Sequence, residues 1–242
     1  METRSDNSLR EKIYAGERIS QGDALRLYTW DLIELGMAAD FRMRMKTPGN
    51  RVGFIIDRII NFTNICSAAC SFCAFHARAG RIEPYELDLD QIIEKVGELA
   101  AAGGSQVMLQ GGLHPEYTLE TYAVMVKTIK ERFPHLYLHS FSPAELYHMA
   151  QRCGISIDTV VGTLKDAGLD SVPGASDMLV DRVRTLISPK KLTCSQWCEV
   201  MLCLSRHSLK SSATMTYGVG ETLDERISHL GVVRDVQDQT GI

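Results

Sequence analysis

Cys66, Cys70 and Cys73 fall within eight residues of one another, in the run Asn61-Phe-Thr-Asn-Ile-Cys-Ser-Ala-Ala-Cys-Ser-Phe-Cys-Ala-Phe75. The C-x3-C-x2-C spacing puts three thiolates on one short loop. Such a loop can hold three irons of a cubane iron–sulfur cluster and leave a fourth iron open to a small molecule. A disulfide framework fits poorly. The stretch from Met1 to Lys12 is polar and charged, with no secretory signal or apolar span, so the chain is expected in the reducing cytoplasm, where structural disulfides are rare. Its seven cysteines are also an odd number. A structural zinc site draws four ligands as two close pairs, and no second Cys or His pair mirrors this one. His76 is placed to supply a fourth ligand, so zinc stays open beside the cluster. Cys153, Cys194, Cys198 and Cys203 fall in helical patterns and read as small buried hydrophobes.

A reactive loop needs a scaffold. At 242 residues, 45% hydrophobic and 23% charged, the chain can bury a substantial core as one large domain. A net charge of -4 gives no general attraction to nucleic acid or an anionic membrane, and neither is expected as a partner. Residues 1–50 read as an N-terminal helical extension and 51–242 as the core. In the core, apolar runs alternate with amphipathic stretches, the α/β pattern of β/α units around a parallel sheet. The expected strands are Arg58–Ile65, Gln106–Leu109, Leu136–Phe141, Leu169–Val172 and Ser211–Tyr217. The expected helices are Leu89–Ala102, Leu119–Phe133, Glu145–Arg152, Ile157–Ala167, Met178–Ile187, Ser195–Leu209 and Leu223–Gln239. Gly103-Gly104 and Gly168 serve as helix stops, and Pro134 ends another helix. Trp30 and Trp197 read as core.

In a parallel barrel, chemistry collects where the strands end. The first such loop carries the cysteines. The second is Gln110-Gly111-Gly112-Leu113-His114-Pro115 and the third His139-Ser140-Phe141-Ser142-Pro143-Ala144-Glu145. The fourth runs Pro173-Gly174-Ala175-Ser176-Asp177 and the fifth Tyr217-Gly218-Val219-Gly220-Glu221. Gly111 and Gly112 let backbone approach a ligand closely, as main-chain binding of an amino acid's ammonium and carboxylate would require, although a Gly-Gly after a strand is often only a turn. His114, His139, Ser142 and Glu145 are candidates for contact with substrate or a ribose. Capping of the next helix is the simpler account of Ser142 and Glu145. Glu221 caps the last helix or approaches the site. His135, His148, His207 and His229 read as solvated or packed.

Taken together, Cys66-x3-Cys70-x-Phe72-Cys73 and Gln110-Gly-Gly112 resemble the radical S-adenosylmethionine superfamily. Within it, the chain is similar to the cyclic dehypoxanthine futalosine synthases of menaquinone biosynthesis and to their relatives, aminofutalosine synthase and the deazaflavin (FO) synthases. Phe-Cys-Ala-Phe75, Leu-Gln-Gly-Gly-Leu-His-Pro115, His-Ser-Phe-Ser-Pro-Ala-Glu145, Ala-Gly-Leu-Asp-Ser-Val-Pro-Gly174, Asp-Arg-Val-Arg184, Ile-Ser-Pro-Lys190, Ala-Thr-Met215 and Asp-Gln-Thr-Gly241 carry the resemblance. The resemblance implies a partial (β/α) barrel lacking its last β/α unit, since the family continues past Gly241. It implies that Cys66, Cys70 and Cys73 bind a [4Fe-4S] cluster whose open iron chelates S-adenosylmethionine. Gln110, Gly111 and Gly112 would hold the cofactor's amino-acid end and Phe72 and Phe75 would flank its adenine, although each phenylalanine is equally read as loop packing. Reductive cleavage of the cofactor would start cyclisation of dehypoxanthine futalosine, a small nucleoside substrate, with electrons from a donor such as flavodoxin or ferredoxin. Two loops depart from the family pattern. The Pro-Gly loop is shorter and ends in Asp177, a substrate-contact candidate like Glu221, where a glutamate is usual, and Val219-Gly220 stands where a histidine is usual. A cluster-binding member without turnover, an FO synthase or aminofutalosine synthase type of reaction, and a zinc module stay open as alternatives.

Overall fold

Most helix starts are written in the local sequence. Ser20 with Asp23, Asp88 with Gln91, Thr193 with Gln196 and Thr222 with Glu225 each form a reciprocal capping box. In each, the first side chain accepts a backbone N–H three residues on and the second reaches back. The computed structural model describes residues 4–47, 49, 51–68 and 70–242. Met1 to Thr3, Pro48 and Asn50, part of the expected N-terminal extension, and Ala69 of the cysteine run lie outside the described residues.

Three helices come first: α1 (Arg4–Ala15), α2 (Gln21–Leu27) and α3 (Leu32–Lys46). They bury Leu9, Ile13 and Ala38 in a small cluster of their own. Arg18 pairs with Asp238, and Arg234 donates to the Ile19 carbonyl at 2.7 Å. The core follows as β1 (Asp57–Asn61), α4 (Leu89–Ala101), β2 (Gln106–Gln110), α5 (Leu119–Arg132), β3 (Tyr137–Leu138), α6 (Pro143–Cys153), α7 (Ile157–Ala167), β4 (Ser171–Val172), α8 (Asp181–Ile187), α9 (Cys194–Arg206), β5 (Lys210–Ser211) and α10 (Leu223–Thr240). All pairing between these strands is parallel. β1 lies against β2, with Asp57 opposite Gln106 and Asn61 opposite Gln110; β2 lies against β3, and β4 against β5. Among the described residues one parallel bridge, His139 to Ser171, joins the two sheets. The strands therefore all end on one side, as a β/α barrel wall requires. Ile60, Val107, Leu109, Leu138 and Val172 of the strands pack under Val96, Ile129, Val160 and Trp197 of the helices, all fully buried or nearly so. No helix among the described residues is long and apolar enough to cross a membrane.

Four expectations need correction. The first strand stops at Asn61 rather than Ile65, because Thr63 turns to bridge Glu86 in the antiparallel sense. The third keeps only two ladder residues. Beyond them the chain still runs beside β2, with His139 N–H on Val107 O and Phe141 N–H on Leu109 O, until Phe141 takes a positive φ of 64°. The fifth strand ends at Ser211 because hydroxyls take over the pairing: Gly174 N–H donates to Ser212 Oγ, and Ser176 and Thr214 exchange side-chain and main-chain bonds. The expected helix at Met178 begins at Asp181, after Ala175 and Asp177 at φ of 36° and 50°. Among side chains, Trp197 is core, its indole N–H on Gly174 O at 2.8 Å. Trp30 is not core: it is half-buried under the Arg10 guanidinium at 5.2 Å, since three short helices cannot enclose an indole. Of the four helical cysteines only Cys203 is fully buried.

Candidate functional site

The cysteine loop and the glycine turn leave neighbouring strands together. Phe62 N–H donates to Gln110 O at 3.1 Å, and Gly112 N–H to Thr63 O at 3.0 Å. A side chain at Gly111 would strike the Phe62 ring at 2.4 Å. One at Gly112 would meet Ile65 O at 2.1 Å and the Cys66 Cβ at 2.8 Å, so glycine is a steric requirement of this contact. Leu113 N–H points at Cys66 Sγ from 3.2 Å, and Ser67 N–H returns a bond to Leu113 O. The far end of the loop is tied by Ser71 N–H to Ile187 O at 2.8 Å, and Ala77 N–H to Asn64 O closes it at 2.9 Å.

Cys66, Cys70 and Cys73 line one cavity of about 200 Å³ with Phe72, Phe75, Gln110, Gly111, Gly112, Ser142 and Glu145. A larger cavity of about 480 Å³ lies under the N-terminal helices, lined by Arg18, Arg42 and Arg234 among others, and carries no cysteine. The three sulfurs share a wall without converging. Among the described residues the one set of three His, Cys, Asp or Glu donor atoms within 4.8 Å of one another lies elsewhere. A single tetrahedral zinc draws its sulfurs to within about 4 Å of each other, whereas a cluster separates its thiolates by its own width, so the loop suits a cluster. His76, the possible fourth zinc ligand, is buried in the same wall, its Nε2 accepting from Arg78 Nε at 2.7 Å.

Phe72 and Phe75 are 42% and 68% exposed, so neither is loop packing; both stand at the cavity mouth. Glu145 is buried with one carboxylate oxygen accepting Gly111 N–H at 3.1 Å and the other Ser142 O–H at 2.6 Å. Burial pushes this carboxyl up to about 7, against those two bonds, which favour the charged form. Ser142 also caps α6. Burial lifts the Cys70 thiol as well, and the Lys191 ammonium works against that lift. Burial alone would lower the Lys191 pKa, but Asp177, at 2.9 Å, and Cys70 together leave it raised.

Four sequence candidates lie off this wall. His114 is buried, stacked on Tyr117 at 3.9 Å and accepting Glu116 N–H. His139 faces Ser171 Oγ at 2.7 Å. Asp177 stands behind Lys191 as its counter-ion. Glu221 closes its own loop on Gly218 and Val219 N–H and on Arg226, the first of which does most to hold its carboxyl down at about 2. Sequence reasoning missed Lys191, Asn64 and Tyr85, which line the cavity, and Arg184. The Arg184 guanidinium is buried, with Nη1 on Ser176 O and Met178 O, and Nη2 has no hydrogen-bond partner among the described residues. Lys191, paired with Asp177, brings an ammonium to the cavity wall, whereas Arg184 lies outside the residues that line it.

Residues 60–232 match the family described as the Radical SAM superfamily. The chain is 39% identical over 98% of its length to cyclic dehypoxanthine futalosine synthase of Halalkalibacterium halodurans. It is 38% identical over 97% of its length to the 5-amino-6-(D-ribitylamino)uracil–L-tyrosine 4-hydroxyphenyl transferase of Methanococcoides burtonii. It spans 64% and 65% of those two relatives' lengths. In fold it is similar to methylornithine synthase PylB, at a TM-score of 0.75 and 19% identity over 94% of this chain and 64% of that one.

Proposed function

The chain belongs to the radical SAM superfamily, whose members use a [4Fe-4S] cluster and S-adenosylmethionine, and from that premise we propose that it cyclises dehypoxanthine futalosine, with Cys66, Cys70 and Cys73 holding the cluster. The observation that carries the residue assignment is the packing of Gly112 on Cys66: it sets the Gln110–Leu113 turn against the cysteine loop as two walls of one cavity. When bound, the cluster and S-adenosylmethionine supply one-electron reductive cleavage and hydrogen abstraction from an unactivated carbon.

The protein's own contribution is binding, orientation and exclusion of water. Gly111 and Gly112 expose main chain to the amino-acid end of the cofactor, and Gln110 is fixed by donating to Phe141 O at 3.1 Å. Glu145 holds the turn by accepting Gly111 N–H and so acts as a positioning residue. Lys191 brings positive charge to the cavity wall beside Cys70, with Asp177 as its counter-ion. Phe72 and Phe75 cover the mouth, where an adenine ring stacks at little cost. His114, His139, Asp177 and Glu221 stand outside this cavity wall, Asp177 touching it through Lys191. Electron supply by a flavodoxin or ferredoxin belongs to the same proposal.

The two curated relatives carry different reactions at nearly equal identity, so the test offers both substrates. The chain is reconstituted anaerobically with iron and sulfide, reduced, and given S-adenosylmethionine with dehypoxanthine futalosine or with 5-amino-6-(D-ribitylamino)uracil plus tyrosine. The proposal expects 5'-deoxyadenosine that rises with the first substrate, together with a cyclised product. Replacement of any one of Cys66, Cys70 and Cys73 by Ser should abolish both. A response to the second substrate alone would move the chain to the transferase reaction, and a bound cluster that cleaves nothing would overturn the proposed activity.

A further inference from the structure

Away from the cysteine cavity, three donors of different chemistry meet between two helices. Cys203 and His207 are four residues apart at the end of α9, so helical periodicity puts them on one face. Asp158, from the first turn of α7, reaches the same point: its Oδ1 lies 2.9 Å from His207 Nε2 and 3.9 Å from Cys203 Sγ. The three ligating atoms all lie within 4.8 Å of one another. His207 precedes β5, at the strand ends opposite the cysteine loop, so this group is separate from the proposed active site.

We propose that Asp158, Cys203 and His207 form a second metal site, taking a divalent ion of the zinc type through a thiolate, an imidazole nitrogen and a carboxylate oxygen. A tetrahedral zinc with bonds of about 2.0–2.3 Å sets its ligands roughly 3.3–3.7 Å apart. Two of the spacings, 2.9 and 3.9 Å, bracket that range and the third is within 4.8 Å, so the ion needs the imidazole–carboxylate contact to open slightly and the sulfur to swing inward by no more than about 1.3 Å. The donor set is soft on one side and hard on the other, which suits zinc better than calcium, magnesium or copper(I). On binding, the ion replaces the thiol proton, which leaves to solvent, and two negative ligands neutralise its two charges. Burial raises the Cys203 thiol and so works against loss of its proton, which the ion's charge must overcome. In geometry, Cys203 is nearly inaccessible while Asp158 is exposed, giving an anchored ligand inside and an entry side.

A second feature supports the site. Gly162 lies inside α7, and a Cβ there would stand 3.3 Å from His207 Cε1 and 3.9 Å from Nδ1. Glycine inside a helix costs about 0.5–1 kcal/mol relative to alanine. The missing side chain leaves room for the Cε1–Nδ1 edge of the imidazole beside the helix while Nε2 faces Asp158. Lys165 then holds the end of α9 in place, donating to His207 O at 2.6 Å. A simple histidine–aspartate strap between the two helices would need neither the buried thiol beside it nor the gap at Gly162.

Cobalt(II) tests the site, because a thiolate ligand gives it charge-transfer absorption in the near ultraviolet. The full chain carrying Cys66→Ser, Cys70→Ser and Cys73→Ser is titrated with cobalt and then zinc, its far-ultraviolet circular dichroism first matched to the parent. One equivalent of cobalt with the thiolate band, displaced by zinc, is expected. Adding His207→Ala should remove the band, and Asp158→Asn should weaken binding at least tenfold. No band, or a band that survives His207→Ala and disappears with Cys194→Ser and Cys198→Ser, would overturn the assignment. Should the serine chain not fold, zinc is counted by mass spectrometry in the parent already loaded with its cluster: one zinc per chain, absent in His207→Ala, is expected, and none in the parent refutes the site.

Discussion

Glu145 is a carboxyl that burial holds near neutrality, and the cavity's charge depends on it. Its folded pKa of about 7 lies above the ordinary glutamate value, so folding favours the protonated form. The stability it contributes is therefore complete below about pH 4.3 and is lost as the pH climbs through 7. Glu145→Gln removes that loss. Urea midpoints of the ligand-free chain should show the variant gaining on the parent between pH 5 and 8, by roughly 3 kcal/mol at the upper end; a gap that stays constant with pH would contradict it. Gly112 makes a different residue-scale test. Gly112→Ala pushes a methyl against Ile65 O and Cys66, and the strain, about 1–3 kcal/mol, falls on the loop rather than the core. Iron retained per chain after reconstitution should drop several-fold while the circular dichroism is unchanged. The cysteines were legible because their spacing is local. Glu145 looked like a helix cap, and its second bond reaches Gly111, 34 residues away, which no local pattern encodes.

Among elements, helices were read more accurately than strands, and the reason is physical. Capping boxes and the left-handed glycines Gly154 and Gly168 are short-range devices, so α7 falls where periodicity puts it and α4 and α5 end within a residue of expectation. Strand ends depend on the partner. After Val172 the chains of β4 and β5 approach until a Cβ on Gly174 would lie 1.6 Å from Ser212 O, and hydroxyl bonds replace the ladder. Gly174→Ala should therefore force the two strands apart, costing about 3 kcal/mol, measured as a lower urea midpoint. A midpoint equal to the parent's would mean that the close approach is dispensable. Thr222→Ala, which removes only the α10 cap on Glu225 N–H, should cost about 1 kcal/mol and leave cluster loading intact.

For the molecule as a whole, the described residues form three separate apolar clusters: the large one around the parallel strands, a small one of Met178, Val183 and Ile187 at α8, and the one that α1 and α3 make from Leu9, Ile13 and Ala38. The N-terminal cluster buries too little to share the stability of the large one. The two tryptophans report on them independently, Trp197 from the core and Trp30 from the helices. In urea, a chain with Trp197→Phe should lose its remaining tryptophan signal at lower denaturant than one with Trp30→Phe; coincident transitions would mean one cooperative unit. The sequence by itself determined the cysteine loop, the glycine turn, the alternation of strand and helix and most helix ends, because spacing, periodicity and caps act over a few residues. Only the tertiary structure decided that Lys191 and Arg184 stand by the cysteines, that His114, His139, Asp177 and Glu221 do not line their cavity, and that Asp158 meets Cys203 and His207. Those pairings are set by how helices pack across tens of residues of chain, where burial and charge are properties of the assembled neighbours rather than of the residues themselves.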